Sequence, residues 1–554
     1  MAQIDGGHLV AKMLKQEGVK YIFTLCGGHI SPIYEGCADE GIGVIDVRHE
    51  QAAAHAAEGW AKVTGQPGVA VVTAGPGVTD TVTAVANAFQ APSPMILIGG
   101  RSPLAQWEMG ALQEIDQVEF LKPITRWARA VLETKRIPEY LSIAFRHACA
   151  HKPGPVFLEI PMDVLNGSVE EKEAVYPTKY RTEARPQGDP DLVKEAAELL
   201  LGAQRPVVIA GGSMWWCQAS EELRQFIEMA NIPVFLNGMG RGSIPPDHPL
   251  FFSYCRNYAL SQADVVLISG APFDFRLGYG RPPSFHPEVK VVQIELDATD
   301  VGHNRAVDMG IVGDVRHVLR QLMEEYDRRA SLRKESAWVE SLRQAEARIQ
   351  QAEEPYLNSD AVPIHPLRLC KEVRNFLDKD ATVIGDGGEI VQFASRVLAA
   401  YYPGHWLDPG QLGCLGVGTG FAMAAKLARP DKQVLIMNGD GSFGLNAMEF
   451  DTMVRHCIPV VSVIGNDGAW GQMKHGYLAR YGRCVGVELA PGTRYDKLVE
   501  ALGGYGEFVE RTEDIRPALE RAFASGRPAC VNVITDPDVS YGGVSRQRRA
   551  ATPT

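Results

Sequence analysis

The chain alternates short, wholly apolar runs with longer helix-like stretches. In the amino-terminal third the apolar runs are YIFTLCGG, GVIDV, GVAVVTAGPG, PMILIGG and PVFLEIP. Runs that are apolar throughout, rather than at every second position, are typical of strands buried on both faces of a parallel sheet. The pattern therefore predicts a first α/β domain over residues 1–166.

The same style recurs twice further along the chain. A linker rich in proline and charge, YPTKYRTEARPQGDPD, precedes a series over 190–325 that contains PVVIAGG, PVFLNGMG, DVVLISG and VKVVQIELD. A charged stretch over 323–354 is expected to form a solvated connecting helix. The third series, over 362–540, contains ATVIGDGG, QVLIMNGDGSF, PVVSVIGND and PACVNVITD, and a basic tail over 541–554 follows. The predicted fold class is α/β, with three doubly wound parallel-sheet domains.

Composition excludes several classes of partner. A net charge of -12 argues against nucleic acid, because phosphate binding needs a basic face. The ten cysteines include no CxxC pair, which argues against zinc or a disulfide framework and favours a reducing cytoplasm. No apolar run approaches the roughly 20 residues that cross a bilayer, and the amino-terminal helix pattern is not that of a signal peptide. We expect a cytoplasmic protein without a membrane partner.

Two polar turns that follow apolar runs predict a metal site. Asp440 follows the QVLIM run, and Asn466 follows PVVSVIG. Because the carboxyl ends of parallel strands share one crevice, the two side chains can meet there. Mg²⁺ prefers hard oxygen ligands, which Asp440, Asn466 and the carbonyl of Gly468 would supply. A lone Gly-Asp-Gly is most often an ordinary turn, and the second turn is what favours the metal. Residues suited to approach the phosphates are Gly439, Gly441 and Ser442.

A Gly-Asp-Gly turn followed at this distance by asparagine resembles the signature of thiamine-diphosphate-dependent enzymes. The family usually has two asparagines at the second turn, and here Gly465 stands in place of the first. The metal-binding member resembles the second, Asn466. The resemblance implies that the chain binds thiamine diphosphate together with Mg²⁺.

An acidic residue near the amino terminus extends this resemblance. In GVIDVRHEQAAAHAAEGWAK a strand pattern ends and a helix of small residues begins at Glu50. Taken alone, an acid at this position favours the helix dipole and needs no other role. The segment resembles the pyrimidine-binding domain of the acetolactate-synthase-like branch, where the glutamate hydrogen-bonds the cofactor's pyrimidine ring. A buried carboxyl suits that role, because sharing a proton costs less there than carrying a charge.

Further cofactor contacts are implied by the resemblance. Pro76 and Asn87, in AGPGVTDTVTAVANAFQ, occupy family-like positions. In GQLGCLGVGTG, Leu415 matches the apolar residue that supports a bent cofactor, and the backbone of Gly413 and Leu415 would bond the pyrimidine. In this family Glu50 and the diphosphate motif meet across a subunit interface. We therefore expect a homodimer or homotetramer with its active sites at subunit interfaces.

Within the family, the chain most resembles the 2-hydroxyacyl-CoA lyase and oxalyl-CoA decarboxylase branch. FTLCGGHISPIYEG, LGCLGVGTGFAMAAKLA and HGYLARYGRCVGVELAPG carry this likeness. It implies an acyl-CoA substrate and reversible cleavage of a 2-hydroxyacyl-CoA to formyl-CoA and an aldehyde or ketone. Oxalyl-CoA decarboxylases tend to carry a tyrosine where this chain has Gln113, and a glutamine amide favours a hydroxyl-bearing substrate. Oxalyl-CoA decarboxylation and acetolactate-synthase-like carboligation of 2-oxo acids remain the alternatives.

Two more side chains are candidates for catalysis. His29, in GGHI, could bond the same substrate oxygen or be an ordinary structural histidine. Glu488, in GVELAPG, could remove the substrate's 2-hydroxyl proton or be an exposed loop acid.

The remaining predictions concern phosphate-bearing ligands. The resemblance implies that the central domain holds ADP, or FAD, near PVVIAGG and Asp297, although an ordinary βα turn explains these residues equally well. Arginines Arg276 and Arg281 are candidates for CoA contacts. The tail could fold over the acyl-CoA as a lid or stay unstructured. Its candidate phosphate contacts are Arg546, Arg548 and Arg549.

Overall fold

The computed structural model describes residues 3–150, 152–329 and 336–543, and it confirms three parallel-sheet α/β domains. The amino-terminal domain holds a six-stranded sheet in the order β3-β2-β4-β5-β7-β6. A short antiparallel pair, β1 with β8, lies beside it. The strands are β1 Gln3–Asp5, β2 Tyr21–Thr24, β3 Gly43–Asp46, β4 Gly68–Val72, β5 Met95–Arg101, β6 Trp127–Ala130, β7 Pro155–Pro161 and β8 Ser168–Glu170. The helices are α1 Gly6–Gln16, α2 Ser31–Asp39, α3 Glu50–Thr64, α4 Pro76–Thr79, α5 Val82–Gln90, α6 Gln117–Leu121, α7 Ile137–Cys149 and α8 Met162–Asn166.

The central domain holds a five-stranded parallel sheet in the order β10-β9-β11-β12-β13. Its strands are β9 Pro206–Ala210, β10 Val234–Leu236, β11 Val265–Ser269, β12 Lys290–Glu295 and β13 Met309–Val312. Its helices are α9 Pro190–Gly202, α10 Ser213–Trp216, α11 Ser220–Ala230, α12 Arg256–Gln262, α13 Val315–Arg329 and α14 Ala337–Leu357.

The carboxy-terminal domain holds a six-stranded parallel sheet in the order β15-β14-β16-β17-β19-β18. Its strands are β14 Thr382–Asp386, β15 Trp406–Leu407, β16 Val434–Gly439, β17 Val461–Asn466, β18 Tyr505–Val509 and β19 Ala529–Ile534. Its helices are α15 Pro366–Phe376, α16 Glu389–Val397, α17 Gly418–Ala428, α18 Asp440–Asn446, α19 Glu449–Arg455, α20 Gly471–Tyr481, α21 Tyr495–Ala501 and α22 Thr512–Ala524.

The two outer domains share one strand order. If the strands of each six-stranded sheet are numbered 1 to 6 along the chain, starting at β2 in one domain and at β14 in the other, both sheets have the strand order 2-1-3-4-6-5. The carboxyl ends of the strands therefore form an equivalent edge in both domains, and ligands of open parallel sheets bind at such edges. All of the polar turns discussed below lie at one of these two edges.

Helices α3 and α17 join the two outer domains by close packing at glycines. A Cβ added at Gly59 would lie 2.7 Å from Cα of Phe421, and one at Gly420 would lie 2.9 Å from the backbone nitrogen of Ala56. Only glycine permits such a close approach of two backbones. One hydrophobic core consequently continues from the amino-terminal domain into the carboxy-terminal domain.

The expectation of a solvated connecting helix over 323–354 is wrong. The described part of this stretch belongs to two helices, α13 and α14. One face of α14 is buried in the central core, with Trp338, Leu342, Ala345 and Ile349 at helical spacing. The many charges on the other face hide this apolar stripe from a reading based on composition, although its period of 3.6 residues is present.

Among the described residues, no helix combines the length and the apolar character that crossing a membrane requires.

Candidate functional site

The two predicted metal-site turns lie side by side in the structure. Strand β16 ends at Gly439 and β17 ends at Asn466, and Gly439 is paired with Gly465 across the parallel ladder. Asp440 and Asn466 therefore follow directly after paired residues at the carboxyl edge of the sheet. Both side chains are buried.

Asp440 has the environment of a metal ligand. Its Oδ1 accepts the backbone N–H of Gly441 at 2.8 Å, whereas its Oδ2 is buried and has no hydrogen-bond partner among the described residues. Burial, together with the neighbouring carboxylate of Asp467, raises the pKa of Asp440 to about 7. A buried, unpaired carboxylate oxygen beside a second acid is unfavourable unless a cation or a proton compensates it. The site thus suits a hard divalent cation such as Mg²⁺.

The other two predicted ligands retain accepting capacity. The Asn466 amide donates to the carbonyl of Thr493 at 3.2 Å and to Oδ1 of Asn532 at 3.0 Å, which fixes its orientation. Among the described residues, its Oδ1 accepts only the N–H of Gly468, at 3.3 Å. The Gly468 carbonyl accepts the N–H of Leu489 at 2.8 Å and, like any carbonyl, has a second lone pair.

The residues that open α18 leave little space around the backbone. A Cβ added at Gly441 would lie 2.6 Å from the Trp470 ring. The Ser442 hydroxyl donates to the carbonyl of Asp386 at 2.6 Å, so this side chain supports the turn from within. The backbone N–H groups at the start of α18 are the part of this segment that suits a phosphate.

Asp386 organises the loop that carries Gly413 and Leu415, and sequence reasoning missed it. Its buried carboxylate accepts the N–H of Gly416 at 2.9 Å and the N–H of Gly418 at 2.8 Å. These bonds hold the loop against the end of β14. The signal in the sequence is weak, because the acid and the amides that it binds lie 30 and 32 residues apart.

A large cavity contains most of the predicted cofactor residues of the carboxy-terminal domain. It has a volume of about 1550 Å³ and lies between the central and carboxy-terminal domains. From the predicted set it is lined by Gly413, Leu415, Gly439, Asp440, Gly441 and Ser442. Its lining residues run from Phe235 to Tyr541, so none of them comes from the amino-terminal domain.

Basic side chains line the part of this cavity formed by the central domain. Arg241 donates to the carbonyl of Ser395 at 2.6 Å, and Arg256 donates to the carbonyl of Arg276 at 3.1 Å. Burial lowers the pKa of both guanidinium groups, which indicates that an anion nearby would be favourable. Arg276 also lines the cavity, and its Nε and Nη2 both donate to Oδ2 of Asp274.

Glu50 lies at the equivalent edge of the amino-terminal domain, outside the cavity. It is the first residue of α3 and is 7% exposed, and burial raises its pKa. A Cβ added at Gly77 would lie 3.5 Å from its Oε1, so the Gly75-Pro76-Gly77 turn passes beside the carboxyl group. A carboxyl whose pKa is raised by burial is what the resemblance favours at this position, and the ligand atoms of His49 and Asp80 lie within 4.8 Å of it.

His29 and Gln113 meet near Glu50, with Thr73 between them. Nδ1 of His29 lies 3.0 Å from Oγ1 of Thr73, which in turn lies 3.5 Å from Oε1 of Gln113. Gln113 has a φ of 62°. It lies in a loop that is held by Glu114, because the Glu114 carboxylate accepts three backbone N–H groups. Their donors are Glu108, Gly110 and Ala111. Neither Thr73 nor Glu114 was singled out from the sequence.

Three further predicted residues do not line the cavity. Asn87 is fully buried, and its amide donates to both oxygens of Glu58 at 2.9 Å. Pro76 is the exposed first residue of α4. Glu488 is exposed and pairs with Ala469 through the backbone. The structure brings none of the three into the cavity.

The predicted nucleotide and CoA contacts lie only partly in a cavity. A second cavity, of about 520 Å³, is lined by Gly211 and Gly212 of the PVVIAGG run, but not by Asp297, which caps a short turn through Thr299. Glu295 lines it instead, and burial raises the pKa of Glu295 to about 7. Arg281 donates to the carbonyl of Asn304 and lines neither cavity. The tail arginines Arg546, Arg548 and Arg549 lie outside the described residues.

The candidate site is therefore divided into two halves on different domains. One half, at the edge of the carboxy-terminal sheet, carries a metal-like acid and a cavity. The other, at the edge of the amino-terminal sheet, carries a buried glutamate, a histidine and a glutamine.

Comparison with known protein families matches each of the three domains. Residues 4–120 match the thiamine pyrophosphate enzyme N-terminal TPP binding domain, and 193–322 match the central domain of the same enzymes. Residues 386–533 match their C-terminal TPP binding domain.

Relatives of two different names match over nearly the whole chain. A "Probable acetolactate synthase" of Mycobacterium bovis is 46% identical over 539 residues, which cover 97% of each chain. A "2-hydroxyacyl-CoA lyase 2" of Bos taurus is 37% identical over 576 residues, covering 96% of this chain and 90% of the relative. The Homo sapiens protein of the same name is 35% identical, with 96% and 90% covered.

Proposed function

Because this chain belongs to the thiamine pyrophosphate (thiamine diphosphate) enzyme family, we propose that it is a carbon–carbon lyase of 2-hydroxyacyl-CoA. The products would be formyl-CoA and an aldehyde or ketone, in a reversible reaction. When bound, thiamine diphosphate supplies a nucleophilic carbon that adds to a carbonyl and then stabilises the negative charge left by bond cleavage.

The residues of the carboxy-terminal domain fit the charged end of the cofactor. Asp440, Asn466 and the Gly468 carbonyl would hold Mg²⁺, and the backbone amides that begin α18 would receive the diphosphate. The unpaired, buried Oδ2 of Asp440 is the observation that supports this assignment. Gly413 and Leu415 line the same cavity and would contact the ring system.

Glu50 would hold a proton against the pyrimidine ring. Burial raises the pKa of its carboxyl group, so the protonated form persists to a higher pH than for a solvated glutamate. A carboxyl in this state donates a hydrogen bond to a ring nitrogen, which is its role in activating the cofactor.

The volume of the cavity and the basic side chains that line it are the observation that supports a CoA thioester as the substrate. The cavity, of about 1550 Å³, leaves space beside a cofactor for a second large molecule. Arg241 and Arg256 line it, and their hydrogen bonds run to backbone carbonyls rather than to carboxylates. Guanidinium groups in this state suit the phosphates of a CoA thioester. Arg276 would be less available, since its Nε and Nη2 already donate to Oδ2 of Asp274.

His29 and Gln113 would bind the reacting end of the substrate. Both carry neutral groups that form hydrogen bonds, and both lie near Glu50 at the edge of the amino-terminal sheet. A 2-hydroxyl group and a thioester carbonyl are the partners that an imidazole and an amide would recognise. Glu488, exposed in this structure, remains a candidate for removing the hydroxyl proton only if a bound substrate reaches it.

A second copy of the chain would complete the site, as a homodimer or homotetramer. The cavity has no lining residue from the amino-terminal domain, so Glu50 of the same chain does not reach it. Large exposed apolar side chains accompany both halves of the site, which is typical of surfaces that become buried on association. They are Met109, Leu112 and Ile115 beside Gln113, and Tyr477, Tyr481 and Val485 on and after α20.

A product assay tests the proposed activity. The enzyme would be incubated with thiamine diphosphate, Mg²⁺ and a series of 2-hydroxyacyl-CoAs, and the products separated by mass spectrometry. We expect formyl-CoA and the matching aldehyde or ketone, and their formation should stop when Mg²⁺ is chelated. Absence of formyl-CoA with every ester, in enzyme that binds the cofactor, would refute the lyase.

Acetolactate-synthase-like carboligation is the second candidate. The 46% identity to a protein named as a probable acetolactate synthase favours it. This activity would release carbon dioxide from pyruvate and form acetolactate without any CoA ester. Decarboxylation of oxalyl-CoA is distinguished by carbon dioxide release from that ester, so one panel of three substrates separates the candidates.

The second cavity is proposed to hold a nucleotide such as ADP or FAD. Its glycine turn at Gly211-Gly212 permits a close approach by phosphate, and Arg126 supplies positive charge, whereas Lys152 is paired with Asp300. Denaturing the purified protein and analysing the released small molecules tests this, and a flavin would also give the protein a yellow colour.

A further inference from the structure

Thr73 joins two of the candidate catalytic side chains through one hydroxyl group. It follows β4 and is buried. Its Oγ1 lies 3.0 Å from Nδ1 of His29 and 3.5 Å from Oε1 of Gln113. His29 comes from the turn after β2 and Gln113 from the loop after β5, so Thr73 lies between two separate segments at the sheet edge.

Packing holds Thr73 in this position independently of its hydrogen bonds. A Cβ added at Gly27 would lie 2.2 Å from Cβ of Thr73, and one at Gly77 would lie 2.8 Å from its Cγ2. The side chain therefore fills a space that two glycines leave open. The same added Cβ at Gly77 would lie 3.5 Å from Oε1 of Glu50. Gly77 therefore packs between Thr73 and the carboxyl group of Glu50.

One order of protons satisfies both contacts together, with the 3.5 Å contact between Thr73 and Gln113 at the long limit of a hydrogen bond. A threonine hydroxyl donates one proton, and the amide oxygen of Gln113 can only accept. Thr73 therefore donates towards Gln113 and accepts from Nδ1–H of His29. The other ring nitrogen, Nε2, is then left without a proton in the neutral imidazole and can accept a hydrogen bond.

We propose that Thr73 is a positioning residue that holds His29 in its Nδ1–H form, so that Nε2 accepts a hydrogen bond from the substrate's 2-hydroxyl group. The identity of that hydroxyl group rests on the proposed function. The protonation pattern of His29 does not, because only side chains of the chain itself determine it.

Nitrogen NMR of the histidine ring tests the protonation pattern without any substrate. The protein would be labelled with ring-¹⁵N histidine, and the His29 signals assigned by their loss in His29→Gln. In the wild type we expect a protonated Nδ1 and a bare Nε2. Thr73→Ser keeps the hydroxyl and should keep this pattern, whereas the isosteric Thr73→Val should lose it. An unchanged pattern in Thr73→Val would overturn the proposal.

A double-mutant cycle tests the consequence for turnover on whichever substrate the enzyme accepts. Thr73→Val should lower kcat/KM about tenfold or more, with cofactor affinity unchanged, and Thr73→Ser should restore most of it. In a His29→Gln background Thr73→Val should cost less than about threefold, because it acts through His29. Additive losses would contradict the proposal. A negative formyl-CoA assay alone would refute the lyase and leave the NMR result standing.

Discussion

Two buried carboxyl groups in this protein have raised pKa values for different physical reasons. Burial is the main reason why the pKa of Glu50 is raised, and the nearby carboxylate of Asp80 raises it further. Asp440 combines burial with the nearby negative charge of Asp467, and one of its oxygens has no partner among the described residues. The first environment keeps a proton available for donation. The second favours replacement of the proton by a cation.

Replacing Glu50 tests the first role. Glu50→Gln keeps the shape of the side chain but removes the ionisable carboxyl group. We expect turnover to fall about a hundredfold or more, which is the usual scale of acid–base contributions, while the protein still binds the cofactor. Tryptophan fluorescence titrated with thiamine diphosphate measures binding. A variant with near wild-type turnover would show that Glu50 is only a helix-terminal acid.

Replacing Asp440 tests the second role. Asp440→Asn should weaken Mg²⁺-dependent cofactor binding about tenfold or more, because the metal loses its charged ligand. Titration calorimetry in the presence of Mg²⁺ measures this. Asp431→Asn, in the exposed turn before β16, is the matched control and should bind the cofactor as the wild type does.

At the scale of single elements, long-range contacts determine what could be predicted from the sequence. The strands were predictable, because fully apolar runs indicate a parallel sheet, and so was the meeting of Asp440 with Asn466 at one sheet edge. Three residues were missed because their side chains hydrogen-bond to neighbouring loops, and no periodic pattern in the sequence marks such contacts. They are Asp386, Thr73 and Glu114. The buried stripe of α14 was missed because charges dominate its composition.

The loop over 108–114 depends on one carboxylate. Glu114 accepts three backbone N–H groups, so Glu114→Gln should loosen the loop and move Gln113. We expect faster hydrogen exchange over 108–114 and a lower kcat/KM, with cofactor affinity retained. Glu119→Gln, on α6, is the control and should leave loop exchange unchanged. Equal exchange in both variants would show that other contacts hold the loop.

The carboxy-terminal segment is held by a pair sensitive to pH. Nδ1 of His475 lies 2.7 Å from Glu389, and Nε2 lies 3.0 Å from the carbonyl of Pro537. The hydrogen bond to Glu389 is the main reason why the pKa of His475 is raised. Glu389 also accepts the N–H of Tyr541 at 2.6 Å. The charged imidazole, which donates from both nitrogens, thus links α20 to the residues around 537–541.

Raising the pH should release this segment. A raised pKa in the folded state means that the stabilisation is complete below the ordinary histidine pKa of 6.5 and is lost as the pH rises through the folded value. Hydrogen exchange over 536–543, corrected for its intrinsic pH dependence, should therefore accelerate on going from about pH 6 to about pH 9. His475→Gln should abolish most of this dependence. A wild-type segment equally protected at both values would contradict the expectation.

At the scale of the whole molecule, two domains of identical strand order each present half of a site. Close packing of α3 on α17 fixes these domains to each other. The cavity beside the carboxy-terminal domain is not lined by Glu50 of the amino-terminal domain. Under the proposed function, a single chain therefore carries both halves of the site without completing it. The simplest assembly that completes it is a symmetric pair of copies, in which each contributes Glu50 to its partner's cavity.

Complementation between two impaired variants, assayed at a cofactor concentration too low for Asp440→Asn to bind it, tests this account most directly. Glu50→Gln and Asp440→Asn would be assayed separately and after co-expression with two different affinity tags. In a mixed dimer one site carries both substitutions and the other carries neither, so random mixing should recover about a quarter of wild-type activity. Purified mixed dimers should have about half of it. Mixtures that stay as inactive as the separate variants would show that Glu50 and Asp440 serve the same site from one chain, or no common site.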